Sequence, residues 1–295
     1  MIHYKKCPVC EGEKISLKFN IKDHSITGET FPVFSCSTCT FLFTQDVPSE
    51  NEIGKYYASS SYISHSDTKE GLINSLYHKV RKITLKAKRI LVQKLAGKSK
   101  GNILDIGSGT GAFLNEMKMN GWSVTGIEAD EVAGNIAHAK YHIVSQEPNE
   151  LFILPGQYDV ITMWHVLEHV HKLNEYLERI KELITKDGLF IVAVPNPASR
   201  DAHAYGTFWA GYDVPRHLYH FSPESMQVLM KKHGFEIIKI KPMWYDSFYV
   251  SLLSEKYRKG RINYLRAFFM GLISNLVALF NKKRCSSIIY FMQPN

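Results

Sequence analysis

The chain lacks the apolar stretches that mark export or membrane insertion. Residues 1–6 are polar and no apolar run follows them, so no secretory signal sequence is predicted. The most apolar segment, residues 265–280, is interrupted by Arg266, Ser274 and Asn275 and falls short of the ~20 apolar residues that span a bilayer. No internal repeat or low-complexity segment stands out. With 295 residues and 45% hydrophobic content, the chain can bury a full α/β core, and we expect it to be cytoplasmic.

Acidic residues are missing from two segments. Residues 71–104 contain nine Lys or Arg, residues 256–295 contain eight, and neither segment has an Asp or Glu. The formal net charge of +8 therefore belongs to these segments, and the rest of the chain is net negative. A basic apolar tail can make peripheral contact with a membrane, or it can dock on the domain or on a partner chain. Nucleic-acid binding is less favoured, because basic and aromatic residues are not interleaved. The sequence leaves the oligomeric state open.

Cysteine is scarce, but four of the five cysteines form a pattern. Cys7 and Cys10 make one C-x-x-C pair, and Cys36 and Cys39 make another. Two such pairs can complete a tetrahedral site of four thiolates, and short strand patterns at 15–19 and 31–34 lie between them. Because no ligand position stays open, we predict a zinc ribbon over residues 1–48 with structural Zn²⁺. The fifth cysteine, Cys285, is interpreted as incidental.

A glycine-rich turn follows a buried-strand pattern at residues 103–111, which read I-L-D-I-G-S-G-T-G. Gly107, Gly109 and Gly111 allow a sharp turn and a close approach of a ligand to the backbone. A second strand pattern ends at Glu128, which can accept hydrogen bonds from ribose hydroxyls. These features predict a nucleotide-type cofactor site.

The spacing of the glycines distinguishes between two cofactors. A nicotinamide or flavin fingerprint has the spacing G-x-G-x-x-G, whereas here the third glycine comes one residue early. Asp105 precedes the turn and suits a cationic ligand better than a pyrophosphate. S-adenosylmethionine carries an ammonium and a sulfonium and no phosphate, so methyl transfer is favoured. The alternatives are a nicotinamide-dependent oxidoreductase and a non-catalytic partner-binding module on the same scaffold.

Four segments occur in the order and at the separations of a known family. They are I-L-D-I-G-S-G-T-G at 103–111, G-I-E at 126–128, Y-D-V-I-T-M-W-H-V-L-E-H-V at 158–170 and G-L-F-I-V-A-V-P-N-P at 188–197. Through them the chain resembles the class I S-adenosylmethionine-dependent methyltransferases over about residues 101–240. The resemblance implies an α/β, Rossmann-like fold with a seven-stranded sheet flanked by helices.

The resemblance also implies which residues hold the cofactor. Asp105 and the glycine turn would hold the methionine end, Glu128 would bind the ribose, and adenine would lie near residues 146–147, although 142–154 departs from the usual acidic pattern. Tyr57 and Tyr62 are candidates to close over the methionine carboxylate; packing of a linker is the other interpretation. The predicted cofactor-binding residues are Asp105, Gly107, Ser108, Gly109, Gly111, Phe113, Glu128, Ala129, Trp164, Tyr57 and Tyr62.

The segment His165-Val-Leu-Glu168-His169 matches the H-x-x-E-H pattern of one class of zinc peptidases. It follows a strand that points into the cofactor cleft, and no further carboxylate motif lies downstream on a helix. The methyltransferase interpretation explains these surroundings, whereas the peptidase interpretation explains only five residues. Trp164 and His165 are then expected to border the cofactor and the substrate.

Residues 198–221 are rich in aromatic side chains and histidines and are predicted to form a substrate lid. Residues 217–222, H-L-Y-H-F-S, are similar to the H-L-x-x-F-S segment of zinc-ribbon sugar C-methyltransferases, whose catalytic histidine opens it. His217 is therefore the first candidate for general base, followed by His220 and His165. Arg216 either binds an anionic group of the substrate or pairs with Asp213 to fix the lid.

The predicted organisation has four parts. A zinc ribbon (1–48) is followed by a linker with a basic amphipathic helix (49–100), a methyltransferase core (101–254) that includes the lid at 198–221, and a basic and apolar tail (255–295). The predicted activity is methyl transfer to oxygen or carbon of a small molecule. A sugar nucleotide and a hydroxylated aromatic or lipid-like metabolite are the acceptors considered.

Overall fold

A computed structural model describes residues 1–57 and 72–295, with only the backbone described for 72–82. Tyr62 lies outside these residues. The strands of the described chain are β1 (Ile15–Lys22), β2 (Thr30–Cys36), β3 (Leu42–Thr44), β4 (Asn102–Ile106), β5 (Ser123–Ile127), β6 (Ser145–Gln146), β7 (Tyr158–Trp164), β8 (Ile184–Pro195), β9 (Tyr219–His220), β10 (Phe235–Pro242) and β11 (Ser287–Pro294). The α-helices are α1 (Leu72–Ala96), α2 (Ala112–Lys118), α3 (Glu131–Tyr141), α4 (Leu173–Leu183), α5 (Arg200–Tyr205), α6 (Pro223–Lys232), α7 (Asp246–Lys259) and α8 (Tyr264–Phe280).

The larger sheet has seven strands in the order β10-β11-β8-β7-β4-β5-β6. Strands β6, β5, β4, β7 and β8 are parallel, and β11 runs antiparallel between β8 and β10. The central strands are apolar on both faces: Ile103 and Val160 are fully buried on one face, and Leu104 and Ile161 on the other. This is expected of parallel strands that helices cover on both sides. The order reverses next to β4, and ligands of such sheets bind at the carboxyl ends of the strands at this point. The predicted fold class is confirmed.

The last strand along the chain, β11, lies within the segment predicted to be a basic and apolar tail. Residues Ser287 to Met292 pair with β8 and are buried. The run Ile288-Ile289-Tyr290-Phe291 has the continuous apolar character of a strand buried on both faces, but it follows a basic segment. The basic residues before this run make the strand pattern hard to recognise in the sequence. The large sheet therefore includes residues up to Pro294, beyond the range 101–254 that was predicted for the methyltransferase core.

The smaller sheet has four antiparallel strands in the order β1-β2-β3-β9. The first three belong to the N-terminal ribbon (residues 1–48), and the predicted strand patterns at 15–19 and 31–34 lie within β1 and β2. Strand β9 comes from the segment predicted to be a lid and pairs Tyr219 with Phe43 and His220 with Leu42. The ribbon and the lid (residues 198–221) therefore share one sheet.

The lid is well packed against the rest of the protein. Asp201, at the start of α5, is fully buried and accepts hydrogen bonds from Trp209 Nε1 (2.8 Å), Ser274 Oγ (2.7 Å) and Ser286 Oγ (2.7 Å). These bonds connect the lid to α8 and to the segment before β11. After the lid, Ser222 caps α6, accepting a hydrogen bond from the Ser225 amide.

Candidate active site

The glycine-rich turn lies between β4 and α2. Gly107, Gly109 and Gly111 have φ angles of +75°, +53° and +71°, a backbone conformation that favours glycine. A Cβ on Gly107 would lie 2.2 Å from Cγ2 of Val166, whereas no described atom lies within 4 Å of a Cβ position on Gly109. The turn is therefore closed at its first glycine and open at its second, where a ligand can reach the backbone.

Glu128 follows β5 and faces this turn. Its Oε2 accepts a hydrogen bond from the Gly109 amide (2.6 Å), and its Oε1 accepts one from the Asp130 amide (2.9 Å). Asp130 in turn caps α3, accepting hydrogen bonds from the amides of Val132 and Ala133. These bonds fix the position of the Glu128 carboxylate at the carboxyl edge of the sheet, where a ribose can bind. Ser108 lies in the turn, and the neighbouring Ala129 is exposed.

Asp105 is buried at the end of β4 and accepts a 2.5 Å hydrogen bond from Thr162 Oγ1 of β7. Burial raises the pKa of this carboxyl to about 7, against the opposing influence of the Thr162 hydrogen bond and of Lys88. Desolvation destabilises the charged form, so a cationic ligand placed beside the carboxylate would lower this pKa. This environment favours a ligand with an ammonium group.

An aromatic wall stands next to the turn. Trp164, the last residue of β7, meets Phe113 of α2 edge-on, with ring centroids 5.6 Å apart. Lys88 Nζ of α1 lies 3.9 Å from the Trp164 ring centroid, and burial lowers the pKa of this lysine. Phe113 and Trp164 are among the predicted cofactor-binding residues, whereas Lys88 is not. A lysine within a basic helix carries no local signal that it points inwards.

His165 follows β7 with a φ of +57° and is held between two carboxylates. Its Nε2 lies 3.0 Å from Asp246 Oδ2 and its Nδ1 lies 3.4 Å from Glu168 Oε1. Burial alone would lower the pKa of His165, but the two carboxylates raise it to about 10. An imidazole that is protonated at neutral pH cannot accept another proton, so the geometry does not favour His165 as a general base.

Two histidines and one carboxylate form a cluster beside this segment. The rings of His169 and His217 pack edge to face, with centroids 4.6 Å apart. His217 Nδ1 lies 2.9 Å from the Gly211 carbonyl oxygen, so it donates its proton there and leaves Nε2 as the acceptor nitrogen. His169 Nδ1 lies 3.0 Å from the Arg216 carbonyl oxygen, which indicates the same tautomer. Burial lowers the pKa of His169 to about 4, so this ring is neutral.

Glu168 completes the cluster. It is 1% exposed, and apart from the ion pair with His165 its carboxylate oxygens have no hydrogen-bond partner among the described residues. Burial opposes ionisation, but the His165 side chain lowers the pKa of Glu168 enough to keep it charged. The ligand atoms of Glu168, His169 and His217 lie within 4.8 Å of one another. Glu168 therefore places a buried carboxylate beside the two imidazole rings.

The other candidate base, His220, has a different environment. Its Nε2 lies 3.1 Å from Thr44 Oγ1, and its ring packs edge-on against Tyr212 at 5.1 Å. Burial lowers the pKa of His220 to about 3, so the ring stays neutral. Through its contacts with Thr44 and Tyr212, His220 lies where the ribbon meets the lid. Tyr57 also lies by the histidine cluster, with its hydroxyl 2.9 Å from His169 Nδ1.

Arg216 is fully buried and occupied by protein groups. Its guanidinium pairs with Asp213 of the lid at 2.6 Å and with Asp23 of the ribbon at 2.9 Å, and it donates to the Tyr56 carbonyl oxygen at 2.9 Å. The side chain therefore joins the lid to the ribbon, in agreement with the pairing alternative and not with the alternative of a substrate anchor.

The four ribbon cysteines come together at one point. Sγ of Cys7 lies 3.6 Å from that of Cys39, Sγ of Cys10 lies 3.6 Å from that of Cys36, and all four lie within 4.8 Å of one another. Four sulfurs at the Zn–S distance of about 2.3 Å around a tetrahedral ion are about 3.8 Å apart. The donor set and its spacing therefore fit zinc. Cys285 is buried elsewhere, with its Sγ donating to the Lys282 carbonyl oxygen at 3.1 Å.

The sheet order and the site at its carboxyl edge define a class I methyltransferase. In agreement with this, the sequence profile of the methyltransferase domain matches residues 78–240, more than half of the chain. The chain belongs to this family and is an S-adenosylmethionine-dependent methyltransferase. The expected cofactor is thereby confirmed, and the nicotinamide-dependent alternative is set aside.

Similar proteins support the assignment. A ubiquinone biosynthesis O-methyltransferase of Rickettsia bellii is 25% identical over 215 residues, which cover 67% of this chain and 86% of the relative. Its counterpart in Bordetella avium is 28% identical over 192 residues, covering 60% and 78%. Among solved structures, magnesium protoporphyrin IX methyltransferase from Synechocystis, with bound SAH, has a TM-score of 0.52 and 13% identity and covers 82% of this chain and 99% of that one. At this identity the structural likeness shows the fold alone.

Proposed function

We propose that the enzyme methylates an oxygen or carbon atom of a small molecule, with His217 as the general base. The contacts of residues 164–169 carry this proposal. Val166 packs against Gly107 of the glycine-rich turn (the cofactor turn, residues 107–111), and His169, three residues later, packs against His217. The Leu218 amide also donates to the Glu168 carbonyl oxygen at 2.8 Å. The same short segment thus contacts the cofactor turn on one side and the candidate base on the other.

The chemistry needs little more than positioning and a base. S-adenosylmethionine supplies an activated methyl group on a sulfonium. Nε2 of His217 would accept the O–H or acidic C–H proton of the acceptor, and the electron pair that is released would form the bond to the methyl carbon, with the sulfur of the cofactor as the leaving group. The Gly211 carbonyl oxygen holds the tautomer of His217, and Glu168 stabilises the imidazolium that forms. Burial of the cluster excludes water from the step.

Two classes of acceptor are consistent with this site. The segment H-L-Y-H-F-S resembles that of sugar C-methyltransferases, which favours a sugar nucleotide with an acidic C–H. The sequence relatives are named for O-methylation in ubiquinone biosynthesis, which favours a hydroxylated aromatic or lipid-like metabolite. Both need a base near neutral pH and a site that excludes water.

The experiment is a transfer assay with a methyl-labelled cofactor and a panel of sugar nucleotides, catechols and prenylated phenols. We expect one class to be methylated, and His217→Ala to lower turnover at least about 100-fold because general-base catalysis contributes about 10²–10⁴-fold. His138→Ala, at an exposed position on α3, is the matched control. Unchanged turnover of His217→Ala would end the proposal for the base. Calorimetry should detect binding of S-adenosylmethionine and not of NAD, and failure of both would favour the partner-binding alternative.

A divalent cation at Glu168, His169 and His217 is the alternative means of activating the acceptor. Two imidazoles and a carboxylate are suitable ligands for such an ion. The pH profile of kcat and the effect of a chelator distinguish the two cases. A base mechanism retains activity in the chelator, whereas a cation mechanism loses it and recovers when Mg²⁺, Mn²⁺ or Zn²⁺ is added back.

We also propose that the N-terminal ribbon binds one structural zinc ion through Cys7, Cys10, Cys36 and Cys39, and that the protein works in the cytoplasm, where these thiols stay reduced. Metal analysis of the purified protein should find one zinc per chain. Cys36→Ser should lose the metal and Cys285→Ser should keep it. A metal-free protein with an unchanged unfolding midpoint would contradict the proposal.

A further inference from the structure

Helix α8 exposes its large apolar residues and buries its small ones. On the buried face, Ala267, Gly271, Ser274 and Ala278 are fully or almost fully covered. A Cβ on Gly271 would lie 2.6 Å from the Phe248 ring of α7, so small residues are needed for this close packing. The helix is therefore held against α7 mainly by its small residues; of its large apolar residues, Phe268 also stacks on the Phe248 ring, with centroids 5.6 Å apart.

The opposite face is apolar and open to solvent. Six large apolar side chains on this face are 47–93% exposed and lie within about one third of the helix circumference. They are Leu265, Phe268, Phe269, Leu276, Leu279 and Phe280. The neighbouring aromatic residues Trp244 and Tyr245 of the adjoining segment are also exposed, at 38% and 64%. A continuous group of exposed large apolar side chains on a folded protein marks an interaction surface.

Positive charge lies at both ends of this helix. Lys256, Lys259 and Arg261 precede it and are exposed, and residues 282–284, Lys-Lys-Arg, follow it. At the second end the charge is denser, because Lys282 lies close enough to Lys241 to interact with it electrostatically. Residues 256–295 contain no acidic side chain to offset these groups. The occupant of the patch must accordingly combine an apolar interior with negative charge at its surface.

We propose that the exposed face of α8 docks the enzyme on an anionic lipid surface. The helix would lie in the plane of the membrane, with its apolar residues among the acyl chains and the basic ends at the phosphate groups. A spanning orientation does not fit, since 17 residues extend only about 25 Å against about 30 Å of hydrocarbon. No described helix is long and apolar enough to cross a membrane.

A second copy of the chain is disfavoured as the occupant because of the charges. A two-fold symmetric pair would bring α8 of one copy against α8 of the other. Both ends of the helix are basic, so a parallel pair and an antiparallel pair would each place lysines and arginines opposite one another. Lipid phosphates neutralise both ends at once.

The test is sedimentation of the full-length protein with vesicles of phosphatidylcholine alone or with one quarter phosphatidylglycerol. We expect binding to the anionic vesicles and weaker binding to the neutral ones. The variant Phe269→Gln/Leu276→Gln should lose about 100-fold in affinity, because each large apolar side chain contributes at least about tenfold when buried. Met119→Gln/Ile153→Gln, at positions 77% and 79% exposed elsewhere, is the matched control and should bind as the parent does.

Charge is tested separately. Lys282→Gln/Lys283→Gln should weaken binding about fivefold per charge removed, on anionic vesicles only. Lys14→Gln/Lys18→Gln, which removes two exposed lysines of the ribbon, should have no effect. Absence of binding to both kinds of vesicle would overturn the proposal. So would a dimer in light scattering that Phe269→Gln/Leu276→Gln converts to a monomer. Because this readout needs neither cofactor nor acceptor, it is independent of the proposed methyl transfer.

Discussion

Thr44 offers a direct test of whether the N-terminal ribbon supports the candidate base. Its side chain is fully buried in β3, and its Oγ1 donates a 2.7 Å hydrogen bond to the His217 carbonyl oxygen and lies 3.1 Å from His220 Nε2. Thr44→Val keeps the shape and removes both bonds. Two buried polar groups then lose their partner at about 1–3 kcal/mol each, so we expect a loss of about 2–6 kcal/mol in the free energy of unfolding.

The matched control is Thr185→Val, because Thr185 Oγ1 is buried with no hydrogen-bond partner in the described part of the chain. It should leave stability unchanged or slightly improved. Urea denaturation of both variants measures the difference, and a thermal scan should show a lower midpoint, by about 2 °C per kcal/mol, for Thr44→Val. With an identified acceptor, kcat should fall while the dissociation constant for S-adenosylmethionine stays the same. Equal stability of the two variants would refute the reasoning.

Three further predictions concern the glycine-rich turn, the ion pairs that join the lid to the ribbon, and two buried histidines. Gly107→Ala should lower the free energy of unfolding by more than about 3 kcal/mol, because the backbone has a positive φ and the new Cβ collides with Val166. Gly97→Ala, at φ +64° in open space, should lower it by about 1 kcal/mol, and denaturant titrations measure both. Arg216→Met should destabilise by about 3–5 kcal/mol, because it leaves two buried carboxylates without their cation. His169 and His220 are neutral when folded but take up protons below about pH 6.5 when unfolded, so stability should fall from pH 6.5 towards 4, by up to about 2.7 kcal/mol per pH unit, in urea titrations across that range.

Local patterns predicted the parts of the fold that depend on neighbouring residues. The glycine turn follows from three residues that must adopt positive φ, and the strands on either side follow from continuous apolar runs. The start of α6 follows from a serine that caps it. In each case the cause lies within a few positions of the effect, so a single sequence is sufficient.

The rest of the site depends on contacts between distant positions. The pairing of β3 with β9 joins segments about 175 positions apart, and a strand of two residues has no periodicity to announce it. The partner of Arg216 in the ribbon, Asp23, is 193 positions away. His165 is a candidate base by sequence, but Asp246, which comes from α7, lies beside it and holds it protonated. Sequence patterns indicate which residue types are present but not which charges meet.

The lid is the element through which the separate parts of this enzyme act on one another. Strand β9 and Arg216 attach it to the ribbon, and the Leu218 amide attaches it to Glu168 beside the cofactor turn. On its other side, Asp201 binds Ser274 on the buried face of α8. A zinc ion bound to the ribbon and a lipid surface bound to α8 would therefore both affect the segment that positions His217. Because these attachments are buried hydrogen bonds and ion pairs, displacing one of them costs free energy at the others as well.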